Sequence, residues 1–399
     1  MDLKTGDLFW PKSAPCSSYP PLTQNIRCDV AIIGGGLTGA VIAEALSRDG
    51  IDTVVLDKRT PGCGSTSAST ALILYEIDTP LSQLIQMRGE KAAVRSYRLC
   101  LDAIDQIDRT LLRLGNRCDF ARRPSLFAAQ RKADVPLLQA EFAARTRHGF
   151  QLEYVSQTEV ERLFSFSRPA ALASADAAEI DPLRFALRLL ERAQSSGARI
   201  YAHTTVRHIE TNRTGATLRT ATGHVISAKR AIVAAGFETA ELIRPKLVDL
   251  RSTYVMVTEP VASFEGWHER SLIWETGRPY HYLRTTSDGR IMIGGGDEAF
   301  VSAKKRDALI PQKARSHAAQ LKRMFPQLNP KPALRWAGTF AETKDGLPLI
   351  GSLPAENKIL LTLCYGANGT NFAMIAAAIA QDWVRGKRNP DARLFALER

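Results

Sequence analysis

The sequence predicts an α/β (α+β) fold, in which a βαβ domain built on a parallel sheet is interrupted by an inserted mixed-sheet domain. Three observations carry this expectation. A short apolar strand, a glycine-rich turn, a helix and a second apolar strand follow one another within about 30 residues near the N-terminus. Strands crowd together between residues 199 and 294, and the chain then returns to helix near its C-terminus. At 399 residues the chain is also longer than one hydrophobic core serves.

The first 27 residues hold Pro11, Pro15, Pro20 and Pro21 with Ser17 and Ser18, and read as an extended arm. Asp29–Ile33 is a wholly apolar run after its first residue, the pattern of a strand buried on both faces of a parallel sheet. Leu37, Val41 and Ala45 share one face of the next helix, and Gly50 closes it. Thr53–Leu56 is the second buried strand. Residues 80–115 read as one long helix with Leu84, Met87, Leu101 and Leu111 among its apolar positions. Another helix spans 183–197, with Leu183, Leu187 and Leu190 on its stripe and Gly197 at its end. Strands are expected over 199–210, 216–220, 225–226 and 230–234, and again over 251–259, 280–285 and 290–294, with Ser287-Asp288-Gly289 as a hairpin turn. A last helix places Phe372, Ile375, Ile379 and Trp383 on one face.

The turn between the first strand and helix carries chemistry. Gly34-Gly35-Gly36-Leu37-Thr38-Gly39 supplies G-x-G-x-x-G, with strand before and helix after. Gly34 permits the tight turn, Gly36 lets backbone approach a pyrophosphate, and Gly39 lets helix pack closely on strand. The helix N-terminus then offers N–H groups and a partial positive charge to phosphates. Asp57 ends the second strand, 18 positions after Gly39, where a carboxylate accepts hydrogen bonds from both ribose hydroxyls. An acid there disfavours a 2′-phosphate, so a dinucleotide other than NADP is expected.

Composition bounds the alternatives. The formal charge of +12 comes from 53 Lys and Arg spread along the chain, and the tightest cluster is Lys304-Lys305-Arg306. Such diffuse charge reads as a solvated basic surface and not as a nucleic-acid stripe. Cys16, Cys28, Cys63, Cys100, Cys118 and Cys364 are scattered without CxxC spacing, so neither a metal site nor a disulfide framework is expected, only thiols. No apolar run approaches membrane-spanning length, and the polar start lacks a secretory layout, which makes the cytoplasm the default location.

Three further segments resemble the glycine oxidase and D-amino-acid oxidase (DAO) superfamily of FAD-dependent oxidoreductases, nearest its γ-glutamylputrescine oxidoreductase-like bacterial members. The resemblance runs from about residue 29 to 385. The segments are the small-residue loop Gly64-Ser65-Thr66-Ser67-Ala68-Ser69-Thr70-Ala71-Leu72, the strand Arg230–Val233 leading to Ala234, Ala235 and Gly236, and Gly338–Gly351 followed by Gly366-Ala367-Asn368-Gly369-Thr370-Asn371. The resemblance implies FAD, held by Gly34, Gly36, Leu37, Thr38, Gly39, Asp57 and Lys58, by residues 64–72, by Val206, Ala235 and Gly236, and by Asp345, Gly346, Leu347, Gly366, Asn368, Gly369, Thr370 and Asn371. Where some relatives carry a flavin-linking His this chain has Ala68, and residues 335–345 lack the Cys that others use, so non-covalent FAD is expected. It further implies a discontinuous FAD domain of residues 28–95, 150–245 and 331–399, with 96–149 and 246–330 as the substrate domain.

The same resemblance implies oxidation of a C–N bond in a small amine or amino acid, with hydride passing to flavin N5 and the imine hydrolysing in water. It leaves open whether oxygen, a quinone or a carrier protein takes the electrons. Phe340 stands where amino-acid-oxidising relatives place a carboxylate-clamping Arg, which favours an amine. Strand alternation sets Tyr280, Tyr282 and Arg284 on one face as candidate substrate contacts, with Tyr254 and Trp274 weaker and His281 pointing away. Two other readings compete: a flavoprotein acting on modified tRNA, and a flavin-binding protein without small-amine turnover.

Overall fold

The structure, a computed structural model, describes residues 2–14, 17–241, 248–277, 280–353, 357–363, 366 and 368–399, with the side chains of 240 and 241 left aside. Cys16, Cys364, Ala367 and the expected domain junction at 245–246 fall outside the described residues.

The apolar runs form a parallel sheet. Strand Ile26–Ile33 lies at its centre, flanked in parallel by Val225–Val233 on one side and Thr53–Leu56 on the other. Ile359–Leu363 and Arg199–Tyr201 extend it outward, and Leu349–Gly351 adds an antiparallel edge. Val206–Thr211 and Ala216–Thr220 continue from Val225–Val233 as an antiparallel ribbon. Helix Leu37–Arg48 covers the sheet and packs on Pro182–Ser195 and Gly369–Val384. Their apolar faces share one core with helix Glu90–Leu114.

A ten-stranded mixed sheet forms the second layer system. Its edge-to-edge order is Lys4–Gly6, Pro332–Glu342, Asp249–Thr258, Ile291–Glu298, His281–Thr285, Leu272–Glu275, Ala121–Ala128, Ala170–Glu179 and Leu72–Leu74, with Glu153–Ser156 beside Ala170–Glu179. Several sequence expectations change here. The expected helix over 80–115 is two helices, Leu81–Arg88 and Glu90–Leu114, because Gly89 takes φ +78° between them. Strands Ala170–Glu179 and Pro332–Glu342, drawn from segments assigned to the dinucleotide half, lie in the ten-stranded sheet, whereas Glu90–Leu114 packs against Gly369–Val384.

The N-terminal segment is not a detached arm. Lys4–Gly6 forms the edge of the ten-stranded sheet and pairs with Pro332–Glu342, Lys4 opposite Gly338, and Phe9 and Trp10 are buried against Leu183 and Trp336. Arg306, counted above with solvated charge, is fully buried at the start of helix Ala303–Met324. It donates to Asp2 O at 2.9 Å, Thr5 Oγ1 at 3.0 Å and Thr339 Oγ1 at 3.2 Å, so it pins the segment to the sheet. Cys28, Cys100 and Cys118 are free and buried as expected. Cys63, in contrast, is disulfide-bonded. Sequence spacing says nothing about sulfurs that the fold brings together.

Candidate active site

A cavity of about 520 Å³ runs from the carboxyl ends of the parallel strands to the face of the ten-stranded sheet. This is where open α/β sheets place their ligands. At the parallel-sheet end the glycine turn behaves as its spacing predicts. Gly34 has φ +104°, and a Cβ there would stand 2.3 Å from Ala234 O. A Cβ on Gly39 would stand 1.9 Å from Gly34 O, so this glycine packs helix on turn and does not line the cavity. Gly34, Gly36, Leu37 and Thr38 do line it. Asp57 also lines it, while its two oxygens accept from the backbone N–H groups of Gly35 and Arg59, each at 2.7 Å. Lys58 lies beside it and pairs with Glu238 at 2.5 Å, as does Arg59 at 3.0 Å. Burial pushes Glu238 up, but hydrogen bonds from Arg59 and Lys58 overcome it and hold the carboxyl at about 2. Val206, Ala235 and Gly236 complete this end.

The small-residue loop then crosses the cavity, with Ser65–Ala68 forming a short 3-10 turn. Gly64, Ser65, Thr66, Ala68, Ser69, Thr70, Ala71 and Leu72 all line the cavity. Ser67 turns inward and donates to Gly64 O at 2.8 Å. Four successive carbonyls of the loop are held from behind. Trp336 Nε1 donates to Ala68 O at 3.0 Å and Trp10 Nε1 to Ser69 O at 2.6 Å. Arg284 donates to Thr70 O at 3.1 Å and Ala71 O at 2.9 Å.

Arg284 is therefore not a substrate contact. It is 1% exposed, reaches Ile180 O and Thr285 O as well, and stands 3.6 Å from Glu179. Alternation sets its parity correctly, but the loop covers that end of the face. Arg284→Lys is expected to cost about 3 kcal/mol, since one ammonium cannot satisfy those buried carbonyls. Denaturant unfolding and flavin content should both register the loss, while the KM of the loaded fraction stays unchanged. A raised KM at full loading would restore Arg284 to the substrate site.

The far end is lined by Tyr280, Tyr282, Trp274 and Phe340, with Thr253, Asp78 and Asp297. The Tyr282 ring lies across Gly294, where a Cβ would meet it at 2.3 Å, and its hydroxyl is 3.4 Å from Thr253 Oγ1. Tyr254, a weaker candidate, faces the other way: it is buried with Ile310 and Ala337, and Lys313 Nζ stands 5.2 Å from its ring centroid. Its neighbours Thr253 and Val255 line the cavity instead, because successive strand residues alternate. His281 points away from the cavity, 3.5 Å from Glu275 Oε2.

The family model for FAD-dependent oxidoreductases (DAO) matches residues 29–383. The chain belongs to that family. This flavoenzyme is 27% identical over 389 residues to the γ-glutamylputrescine oxidoreductase of Escherichia coli (strain K12), covering 94% of this chain and 88% of that one. It is 23% identical to the glycine oxidase of Geobacillus kaustophilus (strain HTA426) over 94% and 97% of the two chains. The crystal structure of glycine oxidase from Geobacillus kaustophilus shares its fold with a TM-score of 0.77 at 21% identity, over 94% of this chain and 99% of that one.

FAD is the family's cofactor, and the residues present fit it. At Gly34 the turn has no room for a side chain, at Gly36 a Cβ would stand 3.3 Å from Thr66 Oγ1, and the N-cap of helix Leu37–Arg48 is that glycine, without a capping side chain. At the third segment Gly366, Asn368, Gly369 and Thr370 line the cavity of the flavoenzyme. Asn368 also donates to Leu74 O at 2.7 Å and Glu76 O at 2.8 Å. Asn371, Asp345, Gly346 and Leu347 do not line it. Asn371 donates to Leu74 O and Cys100 O inside the core, and Asp345 is paired with Arg399 at 2.8 Å. Gly346 packs on Thr79, and Leu347 is buried. These four support the cavity wall from outside it. Among the described residues no His, Cys, Asp and Glu cluster could hold a metal, and no helix is long and apolar enough to cross a membrane.

Asp78 and Asp297 were not singled out from the sequence. Each is a lone acid in an unremarked stretch, one in the loop after Leu72–Leu74 and the other on Ile291–Glu298. Leu3, from the N-terminal segment, also reaches the cavity.

Proposed function

We propose that this flavoenzyme oxidises a C–N bond of a small amine, and that it does not grip its substrate by an α-carboxylate. Phe340 carries the reading: it lines the substrate end of the cavity, at the position where an arginine clamp would serve amino acids. Among the described residues, the Lys and Arg side chains lining the cavity are Lys58, Arg59 and Arg207, all beside the dinucleotide turn. Bound FAD supplies the two-electron acceptor, and water hydrolyses the imine that the substrate becomes. The chain's part is to orient the α-C–H bond between the aromatic walls and to keep bulk water from it. Non-covalent attachment follows from Ala68 in the loop and from the engagement of the Cys63 sulfur in a disulfide.

Anaerobic visible spectra test the reading. Pools of primary or secondary amines are expected to bleach the flavin bands, and α-amino acids to leave them. Phe340→Arg is expected to lower kcat/KM for amines by about tenfold, through loss of an aromatic face and gain of a like charge. Bleaching of the unaltered enzyme by amino acids alone would overturn the proposal.

A further inference from the structure

The cavity wall is drawn from distant stretches of chain, and one short stretch, residues 2–10, reaches several of them. Leu3 is buried and lines the cavity, and its carbonyl accepts from the Thr339 N–H at 2.8 Å, beside Gly338 and Phe340. Burial, and after it the Arg59 guanidinium, lower the Lys4 ammonium below its ordinary value, so the same strand approaches the dinucleotide end, where Arg59 lines the cavity. Further along, Trp10 Nε1 donates to Ser69 O in the small-residue loop at 2.6 Å.

Leu3 differs from the other apolar side chains of this segment. Leu8, Phe9 and Trp10 pack with Leu183, Val255 and Trp336, whereas Leu3 belongs to none of the apolar clusters among the described residues. An apolar side chain that lines a cavity and stands outside every core cluster gains most by covering apolar surface of a ligand. The segment's attachment is also narrow. Its ladder is Lys4 with Gly338, Thr5 with Ala337 and Gly6 with Trp336, and Arg306 adds its bonds to Asp2 O and Thr5 Oγ1. So short an edge strand can open locally while the rest of the fold stays intact.

We propose that residues 2–10 are a strap that retains FAD: Leu3 contacts the bound cofactor, and undocking of the strap sets the rate at which FAD leaves. This rests on FAD binding alone and is indifferent to which amine is oxidised. Coupling of this kind is reciprocal, so FAD in turn holds the strap down.

The test starts from the FAD-loaded enzyme diluted into excess 5-deaza-FAD, which occupies each vacated site and is told from FAD by its absorbance. Gly6→Ala acts on the strap from outside the cavity: Gly6 is exposed at φ +113°, and a Cβ there would stand 2.5 Å from Arg335 O and 2.8 Å from Trp336 Cα. It is expected to release FAD about tenfold faster than the parent. Leu3→Ala keeps the ladder and removes the contact, and should speed release about fivefold. Gly223→Ala, another glycine of positive φ but in open space, should release FAD at the parent rate. Bound FAD should also slow trypsin cleavage after Lys4 and Lys12 more than cleavage elsewhere in the chain.

Parent-rate release from both Gly6→Ala and Leu3→Ala would refute the strap, as would cleavage after Lys4 and Lys12 that FAD slows no more than other sites. Equal acceleration in Gly223→Ala would do the same, because lost stability would then explain the release. Acceleration in Gly6→Ala alone would remove Leu3 from the cofactor's contacts. Acceleration in Leu3→Ala alone would make Leu3 a fixed wall residue and end the claim that undocking sets the rate.

Discussion

Gly34→Ala is expected to give a folded protein that retains less than about a tenth of its FAD, because two independent costs fall on one residue. At φ +104° an L side chain is strained wherever it stands. Here the added Cβ would also lie 2.3 Å from Ala234 O and 2.7 Å from its carbonyl carbon. Those are backbone atoms at the end of Val225–Val233, so no rotamer change relieves the contact. Relief requires the turn to move away from Ala234, Ala235 and Gly236, which line the same cavity. Gly223→Ala separates the two costs: Gly223 has φ +90° but open space around its Cβ position. It should lose about 1–2 kcal/mol of stability and no flavin. The flavin-to-protein absorbance ratio of the two variants decides the matter. Full flavin retention in Gly34→Ala would mean that the turn does not cradle the cofactor.

Arg145→Met is expected to destabilise the fold by about 3–5 kcal/mol, the range for removing one partner from a buried ion pair. Arg145 is fully buried, its Nε 2.6 Å from Glu141 Oε1 and its Nη1 3.3 Å from Glu76 Oε1. Its guanidinium carbon stands 5.6 Å and 5.7 Å from the ring centroids of Tyr75 and Tyr97. Glu141 in turn accepts from the N–H groups of Leu81 and Ser82, each at 2.8 Å, and so caps helix Leu81–Arg88. Burial already pushes the Glu76 carboxyl up, and Arg145 pulls it back. Without the guanidinium the folded Glu76 binds its proton more tightly than the unfolded one. The variant's deficit should then widen as pH rises above the ordinary carboxylate range and narrow as pH falls toward it. Urea melts at two pH values measure this; a deficit under 1 kcal/mol, or one independent of pH, would dismiss the network as structural support.

The dinucleotide turn was legible because each glycine has a local cause: a positive φ at Gly34, and at Gly39 a helix too close to its strand for a side chain. The loop at 64–72 was legible through its small residues, and Phe340 through its departure from the family's pattern. Strand parity correctly set Tyr280, Tyr282 and Arg284 apart from His281, yet parity cannot say what lies over each end of a face. The covering loop turned Arg284 from a substrate candidate into a scaffold residue. Tyr254 failed for the complementary reason, since on its strand the cavity takes the odd-numbered neighbours Thr253 and Val255. Asp78 and Asp297 carried no signal because only tertiary structure brings them to one cavity. The same holds for Arg306, whose neighbours in sequence suggested solvent and whose partners are Asp2, Thr5 and Thr339.

The strand Lys4–Gly6 has a temporal consequence. Its only ladder among the described residues is with Pro332–Glu342, so this stretch must wait for one more than 300 residues further along the chain before it can dock. Until then Trp10 has no fixed approach to Ser69, and the carbonyls of the small-residue loop lack part of their backing. Closing so long a loop is slow relative to local helix formation. Assembly on the ribosome therefore has an enforced order, with the backing of the loop at 64–72 finished only after Pro332–Glu342 has emerged. Refolding yield should accordingly depend on free FAD being present late in the reaction, when that first segment settles.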